Sequence, residues 1–255
     1  SQVPVVLAAA SGNADFGNTW SVTVSRAADY LLSCWLEVTT PVVTAASGYK
    51  NFWVKNFMHN LVQEVTITFN DLVAMKIEST QFDFWSAFSV SASKKAGYEA
   101  MTGYGVKTLA ANGQDNVFLH GLDASVAHKL NLPLPFFFSR ESGIALPTAA
   151  LPYNDMRINF VMRPASSLIT AFNTSTFVEL AAALSTTYSA PTTLSLSSPR
   201  VWANYAVVTN EERVLMGETT RDICIEQFQA SPITSFTVGG TAQYDIRYSH
   251  SVKAI

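Results

Sequence analysis

Strict alternation of apolar and polar residues is the feature that most restricts what this chain can become, because a period of two places every second side chain on one face of a strand. Trp20, Val22 and Val24 stand against Ser21, Thr23 and Ser25, and Leu32, Cys34, Leu36 and Val38 against Ser33, Glu37 and Thr39. Between the two runs lies a turn at Arg26, Ala27, Ala28 and Asp29. Leu61, Val65, Ile67 and Phe69 form a third run, broken at Asn70-Asp71 before Val73, Met75 and Ile77. A tight two-residue turn would send Val73, Met75 and Ile77 to the wrong face, so a longer loop or a bulge is expected there. The cleanest run is Met156, Ile158, Phe160 and Met162 against Arg157, Asn159 and Arg163, ending at Pro164. Further strands are expected at Val201 to Val208, at Ile223 to Phe228 and from Tyr244.

Helical signals are few. Thr80 and Asp83 match a capping box, and Phe84, Trp85 and Phe88 follow at helical spacing before Gly97, so one short helix or two turns is expected, with its aromatic stripe as a packed face. Thr209 and Glu212 form a second box, opening a short helix closed by Gly217. Gly103 to His128 shows no clean period. Pro133, Pro135, Pro147 and Pro152 surround Phe136, Phe137 and Phe138, which confines any strand there to edges or short pieces. From Ala165 to Pro199 the one charged residue is Glu179, in a Ser, Thr and Ala background that suits a long surface excursion with some strand content. The sum is an all-β antiparallel sandwich, best read as a jelly roll, with short helices in its connections. Periodicity does not separate it from an immunoglobulin-like sandwich.

Charge and chemistry narrow the function. Only 14% of the 255 residues are charged, so the surface must be covered by Ser, Thr, Asn and Gln or by partners. A net charge of −3, with Lys94-Lys95 the one adjacent lysine pair, excludes an electrostatic grip on nucleic acid. Cys34 and Cys224 are expected as small buried thiols in a reduced, intracellular protein. No apolar run approaches a bilayer span, and Val3 to Ala10 lacks the basic start and length of a signal peptide. Ser1 and Ile255, the latter inside a strand-like run, suggest cuts at both ends. Asn173-Thr174-Ser175 fits a glycosylation sequon but carries little weight in a reduced protein.

The four histidines, His59, His120, His128 and His250, include no helical i, i+4 pair. His120, Asp123 and His128 come nearest to a ligand set and read as loop residues; Asp222 and Glu226 sit too far apart along a strand to work as acid and base. No catalytic, cofactor-binding or metal residue is therefore assigned, and no cofactor is expected. Trp20, Trp53 and Trp202 could serve a glycan-binding module if exposed, although burial is the favoured reading.

Four stretches resemble the major capsid proteins of iridoviruses and, more loosely, of other nucleocytoplasmic large DNA viruses. The first is Ser25-Arg26-Ala27-Ala28-Asp29-Tyr30-Leu31-Leu32. The second runs from Trp53 through Met58-His59-Asn60-Leu61 and Ile67-Thr68-Phe69-Asn70-Asp71 to Phe84-Trp85-Ser86, Lys95, Gly97 and Tyr98. The third and most specific is Leu132-Pro133-Leu134-Pro135-Phe136-Phe137-Phe138-Ser139-Arg140, with Ser142-Gly143, Ala145-Leu146-Pro147 and Leu151-Pro152-Tyr153-Asn154. The fourth joins Glu211-Glu212-Arg213, Arg221-Asp222 and Glu226-Gln227 to Arg247-Tyr248-Ser249-His250-Ser251-Val252-Lys253-Ala254.

The resemblance implies a double jelly-roll subunit that trimerises into pseudo-hexameric capsomers tiling an icosahedral shell. On that basis residues 1–230 would be the first jelly roll and 231–255 a linker with the opening strand of a second, mostly absent one, and the family's N-terminal arm would be missing. It implies as partners copies of the chain, neighbouring capsomers, minor capsid proteins and, further off, inner-membrane-associated viral proteins, with no direct nucleic acid. It places the protein in the virion capsid, assembled in the host cytoplasm. Scarce charge agrees with this, since interface centres are depleted of Lys, Glu and Asp.

Overall fold

A computed structural model describes residues 1–45, 47–104, 106–111, 114–151, 153–173, 179–180, 194–219, 222–230, 235, 239–241, 243 and 245–252, with 106–111, 114–120 and 179–180 as backbone. In chain order the strands and helices are β1 (Gln2–Val6), β2 (Ala8–Gly12), β3 (Thr19–Thr23), β4 (Tyr30–Thr39), β5 (Tyr49–Val54), α1 (Phe57–Leu61), β6 (Val62–Phe69), β7 (Leu72–Glu78), α2 (Ser79–Ser89) and α3 (Ala92–Thr102). There follow β8 (Val106–Ala111), β9 (Gln114–Asp123), β10 (Lys129–Leu134), β11 (Met156–Met162), β12 (Ile169–Asn173), β13 (Glu179–Leu180), β14 (Ser197–Ala206) and α4 (Asn210–Glu218).

The strands form three antiparallel sheets, ordered β1-β14-β4-β10, β2-β3-β11-β6-β7 and β13-β12-β5-β9-β8. Their alternating inner residues meet in one core: Leu36 and Val201 from the first sheet, Val22, Ile67 and Ile158 from the second and Trp53 and Ile169 from the third are all buried. β11 keeps the expected period throughout, burying Met156, Ile158, Phe160 and Met162. Its neighbours bring Trp20 and Val65 opposite Phe160, so a stacked Trp20–Phe160 pair lies across the middle strands of this sheet. Pro133 lies in β10, an edge strand, where a missing backbone N–H costs no interior ladder bond.

Two bulges explain where simple alternation misplaces side chains. Asn70 (φ 50°) and Asp71 (φ 66°) make a two-residue turn with both residues left-handed, the type whose twist suits a hairpin, and Phe69 pairs with Leu72. The register then shifts so that Thr68 faces Val73 but Ile67 faces Met75, leaving Ala74 as the extra residue and returning Met75 and Ile77 to the core. The bulge, not a longer loop, resolves the conflict seen in the sequence. A second shift, between Asn204 and Tyr205 opposite Ser33 and Leu31, makes Leu31 a core residue in place of the expected Leu32.

Several expectations are corrected. Gly97 does not end the helical pattern but lies within α3, which closes at Gly103 (φ 77°). α2 is capped not by Thr80 and Asp83 but by Glu78, whose side chain meets the backbone of Gln81 while the Gln81 amide accepts from the Glu78 N–H at 2.8 Å. α4 continues through Gly217 to Glu218, with Thr209 Oγ1 accepting the Glu212 N–H as expected. The excursion expected from Ala165 starts instead with core residues Leu168, Ile169 and Ala171, because β12 pairs with β5; residues 174–178 and 181–193 lie outside the described set. Residues 222–230 and 245–248 form no strand, and Cys224 is exposed rather than buried. The break at Ser231-Pro232 lies outside the described residues, as do Pro152 and Tyr244. Among the described residues, no helix is long and apolar enough to cross a membrane.

Gly12 and Gly121 are both demanded by close backbone approach, Gly12 against the Thr19 carbonyl oxygen at 2.2 Å from where its Cβ would be. A Cβ on Gly121 would lie 2.0 Å from the Trp53 carbonyl oxygen, where β9 pairs with β5 through Val54. Gly121→Ala is therefore expected to force the two strands apart and to lower stability by about 1–3 kcal/mol, read as a lowered urea midpoint; an unchanged midpoint would show that the approach is not this close.

Candidate functional site

The chemistry that the sequence offered does not converge on a pocket. His59, on α1, is 2% exposed and is held between two helices: its Nδ1 lies 2.7 Å from Asp83 Oδ1 on α2 and its Nε2 2.8 Å from the Tyr98 hydroxyl on α3. Asn56 Nδ2 donates to the same Asp83 oxygen at 3.0 Å, and the Phe82 ring stacks on the imidazole at 5.7 Å. Burial pushes the imidazole below its ordinary range against the opposing pull of Asp83, and burial with the Asp83 charge pushes the Tyr98 phenol up. The neutral tautomer that donates from Nδ1 to Asp83 and accepts the Tyr98 proton at Nε2 satisfies all three groups. With its ring sealed beneath Phe82, this histidine pins three helices together and has no face open to a substrate.

The other histidines separate. His128 Nε2 donates to the Asp123 carbonyl at 2.8 Å and its backbone N–H donates to Thr40 Oγ1 at 2.9 Å, which makes it a loop clasp. The His120 side chain is outside the described set, and His250 sits in the irregular C-terminal stretch. Glu226 pairs with Arg140 at 2.9 Å. Among the described residues no three His, Cys, Asp or Glu side chains come together as a metal site. Trp20 and Trp53 are buried, and Trp202, half-buried, stacks on Trp35 at 6.1 Å. Cys34 is buried, and desolvation pushes its thiol up, so it is an inert packing residue.

What the structure does present is surface. Only Phe82 of the α2 aromatics is fully buried; of the stripe expected as a packed face, Trp85 is half-buried with its ring 6.1 Å from that of Tyr98, whereas Phe84 is 66% and Phe88 89% exposed and these two point outward. A four-residue step puts Phe84 and Phe88 on one side of α2 and leaves Phe82 on the other. α4 repeats the arrangement: Met216 is buried, whereas Val214 and Leu215 are 51% and 57% exposed. It is anchored by Asp29, a buried carboxylate that accepts Arg213 Nε at 2.8 Å, Arg213 Nη2 at 3.1 Å and the Val208 N–H at 2.9 Å. These bonds hold the Asp29 carboxyl below its usual range, the Arg213 guanidinium contributing most. Sequence reading passed over Asp29 as a turn residue; a lone acid among small residues, with an arginine far along the chain, gives no local signal.

An antiparallel sandwich of this topology, with short helices in its connections, is of the jelly-roll kind. The chain belongs to the major capsid protein family: the family model for the major capsid protein N-terminus matches residues 3–208. It is 48% identical over 269 residues to the major capsid protein of Costelytra zealandica iridescent virus, covering 100% of this chain and 56% of that one. Against the major capsid protein of Wiseana iridescent virus the figures are 45% over 266 residues, 100% and 54%, so the chain spans about half the length of these relatives. Its fold matches the PBCV-1 virus capsid structure with a TM-score of 0.64 over 90% of this chain and 47% of that one; at 20% identity the likeness is one of fold.

Proposed function

We propose that the protein is a structural major capsid protein, which trimerises into pseudo-hexameric capsomers that tile an icosahedral virus shell and performs no catalytic turnover. The observation that carries this reading is the family match across residues 3–208, the same stretch that builds the sandwich. Residues 1–230 act as the first jelly roll, and 231–255 supply a linker and the strand-forming sequence that opens a second. The partners are copies of the same subunit, neighbouring capsomers and minor capsid proteins, with inner-membrane-associated viral proteins beneath the shell, and the place is the virion capsid after assembly in the host cytoplasm. Exposed Phe84, Phe88, Val214 and Leu215 support association, since apolar patches of this kind mark interaction sites. No observation favours the glycan-binding alternative, because two of its three tryptophans are in the core. Light scattering on the native protein is expected to give three times the polypeptide mass; a strictly monomeric mass across the concentration range contradicts the reading.

A further inference from the structure

Open sheet edges are where a β-sandwich can pair uncontrollably with another chain, and natural sheets blunt them with proline, short or bulged strands, charge or a covering segment. The first two sheets end at β1, β10, β2 and β7. β1 carries Pro4 and β10 carries Pro133, each of which removes a ladder donor, and β2 is a five-residue strand that shifts register after Ala9 and ends at left-handed Gly12. β7 is built differently: its seven residues, Leu72–Glu78, include no proline or glycine, and Leu72 and Val73 are exposed. Its one lysine, Lys76, lies 2.7 Å from Glu64 and 3.3 Å from Glu78, and Leu72 to Met75 carry no charge.

A distant part of the same chain lies on this edge. Ala74, the extra residue of the β7 bulge, has no register partner on β6, and its carbonyl oxygen accepts Gln227 Nε2 at 3.1 Å. Arg140 grips the neighbouring Glu226 with both arms of its fork, Nη1 to Oε1 at 3.0 Å and Nη2 to Oε2 at 2.9 Å, the two-bond geometry that gives an ion pair direction as well as strength. Two successive residues thus fasten 222–230 to two separate elements of the sandwich, by side chains alone, while the segment forms no strand. We infer that residues 222–230 are an edge guard: the Glu226–Gln227 latch holds them against the open edge of β7 at its bulge and keeps that edge, and the strand-like run Ile223 to Phe228 itself, from pairing with other chains. Side-chain bonds suit this role, since they cover the edge without extending the ladder and offering a new one. The guard goes beyond the shell reading and does not depend on it, because an edge of this composition needs cover whatever surfaces copies of the chain use to assemble.

Releasing the latch from the segment's own side tests this without touching the sandwich. Glu226→Ala/Gln227→Ala alters two residues outside the strands and helices, so the thermal midpoint of the full-length protein is expected to stay in place. Chymotryptic cleavage after Phe228, followed by mass spectrometry, is expected to speed up about fivefold or more, the factor that loss of one ordinary hydrogen bond gives. Association through sheet edges, followed by thioflavin fluorescence and light scattering, is expected to rise with it. Adding Leu72→Lys puts a charge on the bare end of β7 and is expected to return association to the native rate while cleavage stays fast. Adding Phe88→Lys instead, which places the same charge on the exposed side of α2, is expected to leave association high. Cleavage or association that stays at the native rate in the latch variant overturns the guard, and so does a rescue by Phe88→Lys equal to that by Leu72→Lys.

Discussion

Truncating Phe160 to alanine is expected to cost about 3–5 kcal/mol, a large fraction of the stability of a domain this size. The ring is completely buried at the middle of β11, opposite Trp20 on one side and Val65 on the other. Its centroid lies 4.7 Å from that of Trp20 with the planes 15° apart, so the substitution removes buried area and a stacked partner and leaves a cavity between two strands that cannot both collapse into it. Phe160→Leu keeps most of the volume and is expected to cost well under half as much. Phe88→Ala, on the exposed face of α2, is expected to change stability by no more than about 0.5 kcal/mol. Urea denaturation of the three variants separates a structural aromatic from an outward one; equal losses at Phe160 and Phe88 would contradict the placement of both.

The second large effect falls on Asp29. Asp29→Ala removes an acceptor for three donors at once, two from Arg213 and one from the Val208 backbone, and is expected to destabilise by about 2–3 kcal/mol. Its pH dependence identifies the cause. Because the folded carboxyl titrates below its ordinary range, its contribution is fully present above the unfolded value of about 4 and is lost as pH falls through the lower folded value. The stability gap between the native chain and Asp29→Asn is thus expected to be constant near neutrality and to narrow steadily under acid. A gap that stays constant down to the acid transition would mean that Asp29 acts through packing alone. As α4 hangs on this carboxylate, the same substitution is expected to loosen the surface that Val214 and Leu215 present.

How far the sequence reveals this molecule depends on the range of the interactions involved. β11 was fully legible because every second residue from Met156 to Met162 is buried and nothing interrupts the period. The ladder between β6 and β7 was half legible: alternation showed that a tight turn and the pattern conflict, but only the pairing of Ile67 with Met75 locates the bulge at Ala74. β8 and β9 escaped because their residues follow no clean period in the sequence. Ile223 to Phe228 shows the converse, alternating like a strand while forming none. The surface was misread for a related reason. Phe84, Trp85 and Phe88 at helical spacing carry the same signal whichever way each ring faces, and only the structure separates half-buried Trp85, packed on Tyr98, from outward Phe84 and Phe88. The family resemblance was legible because it rests on a long, unusual string of residues around Pro133 to Arg140, which tolerates no such ambiguity.

The central claim is that this sandwich is a repeating brick of an icosahedral shell, and reconstruction of the purified virus particle by electron cryo-microscopy tests it directly. The three sheets and the α2 and α4 helices are expected to fit the shell density at every capsomer, in threefold-related copies. Shell density built from a different fold, or this sandwich found only at isolated positions, would contradict it.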